Sequence, residues 1–202
     1  MTDHGDMMEY RHQARDSSYE EFVRKVDVAR VVRLQHDLDL DPENGWTNVL
    51  HGALRNDSIE ARVRIAEALL DAGWKVGRID LAIMFEHHVH DAELELPLLA
   101  RLLDGGSDPL AVVKGGDRAI QLLGMGRGGP FGSERDPLRD LLFDRPGMDF
   151  TRRTTDGSTI LRKHLRGRPY TMDSLTRVLD YMERFGPAAP RLGEDPRDNF
   201  PV

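Results

Sequence analysis

The feature that most restricts the fold of this chain is a recurring pair of helical segments. One apolar position in the longer, second segment of each pair recurs at Leu34, Leu70, Leu103, Leu142 and Met182, with separations of 33 to 40 residues. Stretches rich in Gly and Asp lie between them, among them DLDLDPENGWT and SDPLAVVKGGD. A short helix, a longer helix and a turn-rich loop, repeated in this way, is the pattern of a solenoid. Each unit is too small to bury its own apolar face, and stacking on its neighbours supplies the missing cover.

The segments support an all-α fold. Phe22, Val26 and Ala29 fall on one face of a helix that begins near Tyr19, and Asp27 is placed to cap a second helix, VARVVRLQ. Residues 47–56 form a short apolar segment. Ile59, Val63, Ala66 and Leu70 make the inner face of the next helix, which is predicted to end with Gly73 just past its last turn. IDLAIMFEHH (79–88) is another short segment. Leu94, Leu98 and Leu102 mark the helix after it, with Pro97 expected in the first turn. Leu138, Leu141 and Leu142 follow. Leu175, Val178, Leu179 and Met182 then define a last helix, with Asp173 as its expected cap. Residues 1–17 lack apolar periodicity and are expected to be a flexible N-terminal tail. Residues 18–186 form the repeat domain, and 187–202 a Pro-rich C-terminal tail.

Composition removes several classes of function. The chain has 202 residues, of which 39 % are hydrophobic, enough for a core. It has no cysteine, which excludes disulfide scaffolds, thiolate metal sites and cysteine nucleophiles. No apolar run is long enough for a membrane-spanning helix, and the polar N-terminus is unlike a secretory signal. A cytoplasmic protein with no membrane contact is expected. The net charge of −7 argues against a nucleic-acid partner.

The segment VDVARVVRLQHDLDLDPENGWTNVLHGAL resembles a junction between ankyrin repeats. DVARVVRL is similar to the outer helix of that family, LDLDP to its Gly-Ala-Asp-Pro turn, and NGWTNVLHGA to the Asp-Gly-x-Thr-Pro-Leu-His-x-Ala start of the next repeat. ALLDAGWKV, RLLDGGSDP and DLLFDRPGMDF resemble the helix-to-hairpin end of a repeat, and TDGSTILRKHL a later start. The repeats are divergent. Asn48 and Ile160 stand where the family has Pro, and Thr47 and His51 carry one extra residue between them. The starts RIDLAIMF and GGDRAIQLL lack Thr and His, and Trp74 replaces a small turn residue. A HEAT-like or other helix-pair array is the structural alternative.

The resemblance implies an ankyrin-like solenoid of four to five helix pairs with short hairpin-like loops. It further implies a non-catalytic scaffold that recognises a protein partner, with an immunity or inhibitor protein as one specific version. No cofactor or metal is expected. The hairpin tips would carry Trp46, Trp74, Lys75, Arg78, Lys114, Phe150, Arg152 and Arg153. Trp and Arg are residue types that anchor interfaces.

Three further patterns bear on chemistry. EHHVHDAELE (86–95) concentrates His87, His88, His90, Asp91 and Glu93, and imidazole with carboxylate suits a divalent metal. A metal-dependent protein or enzyme using His87, His90 and Asp91 is therefore the alternative function. GMGRGG (124–129) matches G-x-G-x-x-G in form, but Pro130 follows it and no strand–helix context surrounds it, so it reads as an enlarged loop. TRRTTDG (151–157), with Arg162, Lys163, Arg166 and Arg168, is a basic patch. It reads as a solvated terminal repeat, or else as a docking site for an acidic partner or a phosphate.

Overall fold

The computed structural model describes residues 3–38, 48–87, 89–111, 136–150, 159 and 172–186. Their regular elements are helices: α1 (Asp3–Asp16), α2 (Tyr19–Lys25), α3 (Val28–Asp37), α4 (Val49–Leu54), α5 (Ile59–Asp71), α6 (Asp80–Met84), α7 (Ala92–Asp104), α8 (Asp136–Phe143) and α9 (Met172–Phe185). Contacts divide the chain into two compact units, Met1–Leu142 and Phe143–Val202.

In the first unit the helices form two rows. α1 packs on α4 and α4 on α6, while α2 and α3 pack on α5 and α5 on α7. The rows meet where α4 lies against α5 and α6 against α7. Every residue of α4 and α6 is buried. Helices of six and five residues are not stable alone in water. They persist here because Leu50, Leu54, Leu81 and Met84 are fully buried, each contributing about 1.5–3 kcal/mol.

Two of the longer helices of this unit, α5 and α7, share their end chemistry. Ser58 caps α5 by accepting the Ala61 N–H, and Asp91 caps α7 by accepting the Leu94 N–H. At the other ends, Gly73 and Gly106 take positive φ values of 97° and 100°. In each case the next N–H reaches back five residues, Trp74 to Leu69 O and Ser107 to Leu102 O, both at 2.9 Å. These are Schellman ends, which need a residue free to adopt the left-handed region. Caps and glycines alike stand 33 residues apart.

Several expectations from the sequence hold. Asp27 caps α3 through the Arg30 N–H at 3.1 Å, and Gly73 follows α5 as predicted. Others need correction. Within the expected tail over 1–17, Asp3–Asp16 instead form α1, with Met7 and Ala14 fully buried. Asn56 holds its end by donating to Ala14 O and Ser17 O at 3.0 and 2.9 Å. A polar helix with few apolar residues gives little periodicity to read. α7 starts at Ala92, so Pro97 lies inside the helix rather than in its first turn. Glu95 accepts the Asp91 N–H at 2.9 Å, which with the Asp91 cap fixes the earlier start. Leu94 is consequently 44 % exposed, and Leu98, Leu99 and Leu102 form the buried face.

The second unit contains an aromatic cluster. Phe143 stacks on Phe150 with centroids 5.9 Å apart, and Tyr181 meets Phe150 edge-on at 5.2 Å. The Tyr181 hydroxyl accepts the Met148 N–H and donates to Arg145 O, both at 2.9 Å. The inner face of α9 is carried by Val178 and Tyr181, whereas Leu179, expected inside, is exposed. The expected C-terminal tail, 187–202, lies outside the described residues.

Gly52 sets the spacing between α1 and α4. A Cβ there would stand 2.3 Å from Arg11 O, a backbone atom that cannot yield without moving the helix. Gly52→Ala is therefore expected to cost about 1–3 kcal/mol, the usual range for overpacking. Urea denaturation measures this, and an unchanged midpoint would show that α1 is not seated on α4.

Candidate functional site

The residues proposed for partner contact divide sharply. Lys75 is exposed on the turn after α5, and its N–H donates to the buried Gln35 Oε1 at 3.1 Å. Arg78 is partly exposed, with Asp108 3.9 Å from its guanidinium. Trp74 and Phe150 are only 4 % and 2 % exposed, so neither presents its ring to a partner. Burial of Trp74 follows from the tight Gly73 turn, which draws the next residue back against the helix end. Burial of Phe150 follows from its stack on Phe143. Trp46, Lys114, Arg152 and Arg153 lie outside the described residues, as do the GMGRGG loop and the TRRTTDG segment.

The histidine-rich segment is a structural knot. His87 Nε2 lies 3.1 Å from Leu54 O, the last residue of α4. His90 has an acceptor at each ring nitrogen: Glu95 Oε2 at 3.0 Å from Nδ1, and His87 O at 3.1 Å from Nε2. Its ring also meets Phe85 edge-on at 5.6 Å. Asp91 is the cap of α7 and Glu93 lies in the first turn. His88 lies outside the described residues. Among the described residues, no three His, Asp or Glu side chains converge on a point where a metal could sit. His87, His90 and Asp91, expected in the alternative reading to share an ion, are thus turned to different partners.

Beneath this segment lies a buried ion pair that the sequence reading missed. Arg62 Nε is 3.1 Å from Glu95 Oε1, and both side chains are at most 1 % exposed. Arg62 Nη2 donates to Val89 O at 3.3 Å. Burial pushes the Arg62 guanidinium below its ordinary pKa, and the Glu95 carboxylate opposes that fall. A similar link joins the first row, where His51 Nε2 is 2.7 Å from Asp80 Oδ1 with both side chains fully buried. Asp80 Oδ2 also accepts the Gly77 N–H at 2.7 Å. The sequence signal for Arg62 and Glu95 was available: both are charged, and each lies four residues after its helix cap.

The open feature nearest the histidine segment is a groove of about 290 Å³, lined by Arg15, Asp16, Arg55, Asp57, Glu86 and His87. Arg15 and Asp16 come from the end of α1, Arg55 from the end of α4, and Glu86 and His87 from just after α6. Arg55 makes a two-pronged contact with Glu86 at 3.1 and 3.4 Å. Arg15 pairs with Asp16 at 2.7 Å. Asp57, fully exposed, faces His87 at 3.9 Å. Burial is the main cause that holds the His87 pKa below 6.5, and the Arg62 charge adds to it.

Two outcomes follow. Glu95→Ala strands a buried guanidinium and is expected to cost about 3–5 kcal/mol in chemical denaturation. A loss under about 1 kcal/mol, the level of an exposed pair, would show that the pair is not desolvated. His87 is depressed in the folded state, so the unfolded chain binds more protons over the window just below pH 6.5. Its stabilising contribution is complete above that window and falls as the pH drops through it. The urea midpoint of His87→Gln is expected to fall less between pH 7.5 and 5.5 than that of the parent chain. Equal falls would contradict the assignment.

No protein-family model matches this sequence, and no curated protein is significantly similar to it. Among solved structures, the chain is similar to one described as the crystal structure of a functionally unknown protein from Leptotrichia buccalis C-1013-b. The identity is 21 %, the TM-score is 0.60, and the match covers 91 % of this chain and 97 % of the other. The likeness is one of fold.

Proposed function

We propose that this chain is a non-catalytic interaction scaffold, built of ankyrin-like helix pairs, that recognises a protein partner. The supporting observation is the 33-residue register shared by the caps Ser58 and Asp91 and by the left-handed glycines Gly73 and Gly106. Two successive helices with matching caps and turns are what stacked repeats would give. Within this reading the chain is cytoplasmic, and an immunity or inhibitor protein is its specific form. No helix among the described residues is long and apolar enough to cross a membrane, which is consistent with that setting.

The face proposed for recognition is the turn side of the helix pairs. Lys75 and Arg78 belong to it in the first unit, and Trp46, Lys114, Arg152 and Arg153 on the sequence pattern. The non-catalytic reading is preferred to the metal-dependent alternative because His87, His90 and Asp91 are each engaged in holding the loop before α7.

Affinity capture with the full chain as bait tests this reading. A partner should be retained by the parent chain, and the Lys75→Glu, Arg78→Glu double variant should bind it at least about tenfold more weakly, as expected for interface anchors. Failure to recover a specific partner, or equal binding by the double variant, would count against the proposal.

A further inference from the structure

We propose that the folded chain holds His90 as a buried imidazolium, with a proton on each ring nitrogen, and that this second proton latches the loop before α7 onto Glu95. The loop is thereby made sensitive to rising pH.

The observation is the pair of acceptors. Nδ1 stands 3.0 Å from Glu95 Oε2, and Nε2 stands 3.1 Å from the carbonyl oxygen of His87. The side chains of His90 and Glu95 are fully buried. A neutral imidazole donates from one nitrogen and offers a lone pair at the other. A carbonyl oxygen has no proton to give, so the proton on Nε2 is fixed. A neutral ring would then turn its Nδ1 lone pair toward the Glu95 carboxylate. Oε2 of that carboxylate accepts the Asp91 N–H at 2.9 Å, and Oε1 lies 3.1 Å from Arg62 Nε. Both contacts favour the ionised carboxylate, which leaves the shared proton to the ring. His51 shows the contrast. It is as deeply buried and has Asp80 at Nε2, but its Nδ1 has no hydrogen-bond partner. A second proton there would have nothing to bind.

The charged groups around His90 permit the arrangement. Glu95 faces it from α7, Arg62 from α5 and His87 from the loop itself. Asp91 is turned to the Leu94 N–H, and Asp57 to His87. Phe85, just after α6, meets the ring edge-on. Arg62 opposes a second cation, but it stands at the other oxygen of Glu95, with the carboxylate between them. Burial holds His87 neutral near pH 7, so it adds no charge. One carboxylate is thus shared by two cations. Each cation also holds a carbonyl of the same loop, Arg62 that of Val89 and His90 that of His87. Loss of the Nδ1 proton would set a lone pair against Oε2 at 3.0 Å and release this end of the loop from Glu95.

Nitrogen NMR of the full chain, with the His90 ring assigned through its backbone, tests this directly. Both ring nitrogens should carry protons at pH 7.5, where an ordinary histidine is mostly neutral. One protonated and one bare nitrogen would overturn the proposal. Stability supplies the sign independently. The unfolded chain releases this proton at about pH 6.5, whereas the folded chain keeps it. The contribution of His90 is therefore complete below that pH and is lost as the pH rises. The urea-midpoint advantage of the parent chain over His90→Gln should shrink between pH 7 and 9. The advantage over His87→Gln should not, because His87 is neutral in the folded chain across that range. A His90 advantage that stays constant or grows with pH would also overturn the proposal. Neither outcome bears on partner capture through Lys75 and Arg78.

Discussion

The Arg62–Glu95 pair fixes how the second row of the first unit is assembled. A charge removed from water costs several kcal/mol unless its partners are close and numerous. Here Glu95 receives the Arg62 charge at one oxygen and the His90 ring and Asp91 N–H at the other. Arg62 in turn donates to Val89 O. The compensation is incomplete: Arg62 Nε and Glu95 Oε1 stand at ion-pair distance without a hydrogen bond between them, and Arg62 Nη1 is buried with no hydrogen bond either. Such a pair is weak as a source of net stability but exacting about position. The two residues occupy equivalent places in α5 and α7. A slip of one helix along the other would therefore leave two buried charges apart.

The first row uses a different device for the same end. His51 and Asp80 meet at 2.7 Å between α4 and α6, and Asp80 also holds the Gly77 N–H that precedes its own helix. Ser107 extends the pattern: its Oγ accepts the Leu81 N–H and donates to Arg78 O, tying the end of α7 to the start of α6. Close backbone approach completes the row at Gly52. Polar links thus set the register of both rows, and the buried leucines supply most of the stabilisation.

Much of the architecture was legible in the sequence. Asp27 and Gly73 could be placed by cap chemistry alone, because a cap is a local hydrogen bond whose partners are three to five residues away. The helix pairs could be placed by apolar spacing. What escaped depended on contacts distant in sequence. α1 gave no apolar pattern because its seat is made by Gly52 and Asn56, more than 35 residues on. Leu94 and Leu179 were assigned to inner faces by spacing, but the adjacent stripe is the buried one, carried by Leu98, Leu99 and Leu102 in α7 and by Val178 and Tyr181 in α9. Histidines that read as metal ligands proved to be hydrogen-bond partners of Leu54, His87 and Glu95, a distinction invisible without the fold. Trp74 read as an interface anchor because residue type says nothing about which way a turn carries the ring.

The brevity of α4 and α6 has a consequence for how the first unit loses its structure. A helix of five or six residues has almost no free energy of its own, since nucleation alone exceeds what one turn returns. Each exists only while the helices around it are in place. Exposing α4 by removing α1 would uncover side chains that now have no contact with water. Partial opening from that end is thereby disfavoured, and α1 acts as a seal rather than an ornament. The unit is built to melt as a single block, with amide hydrogens in α4 and α6 exchanging through the same rare global event.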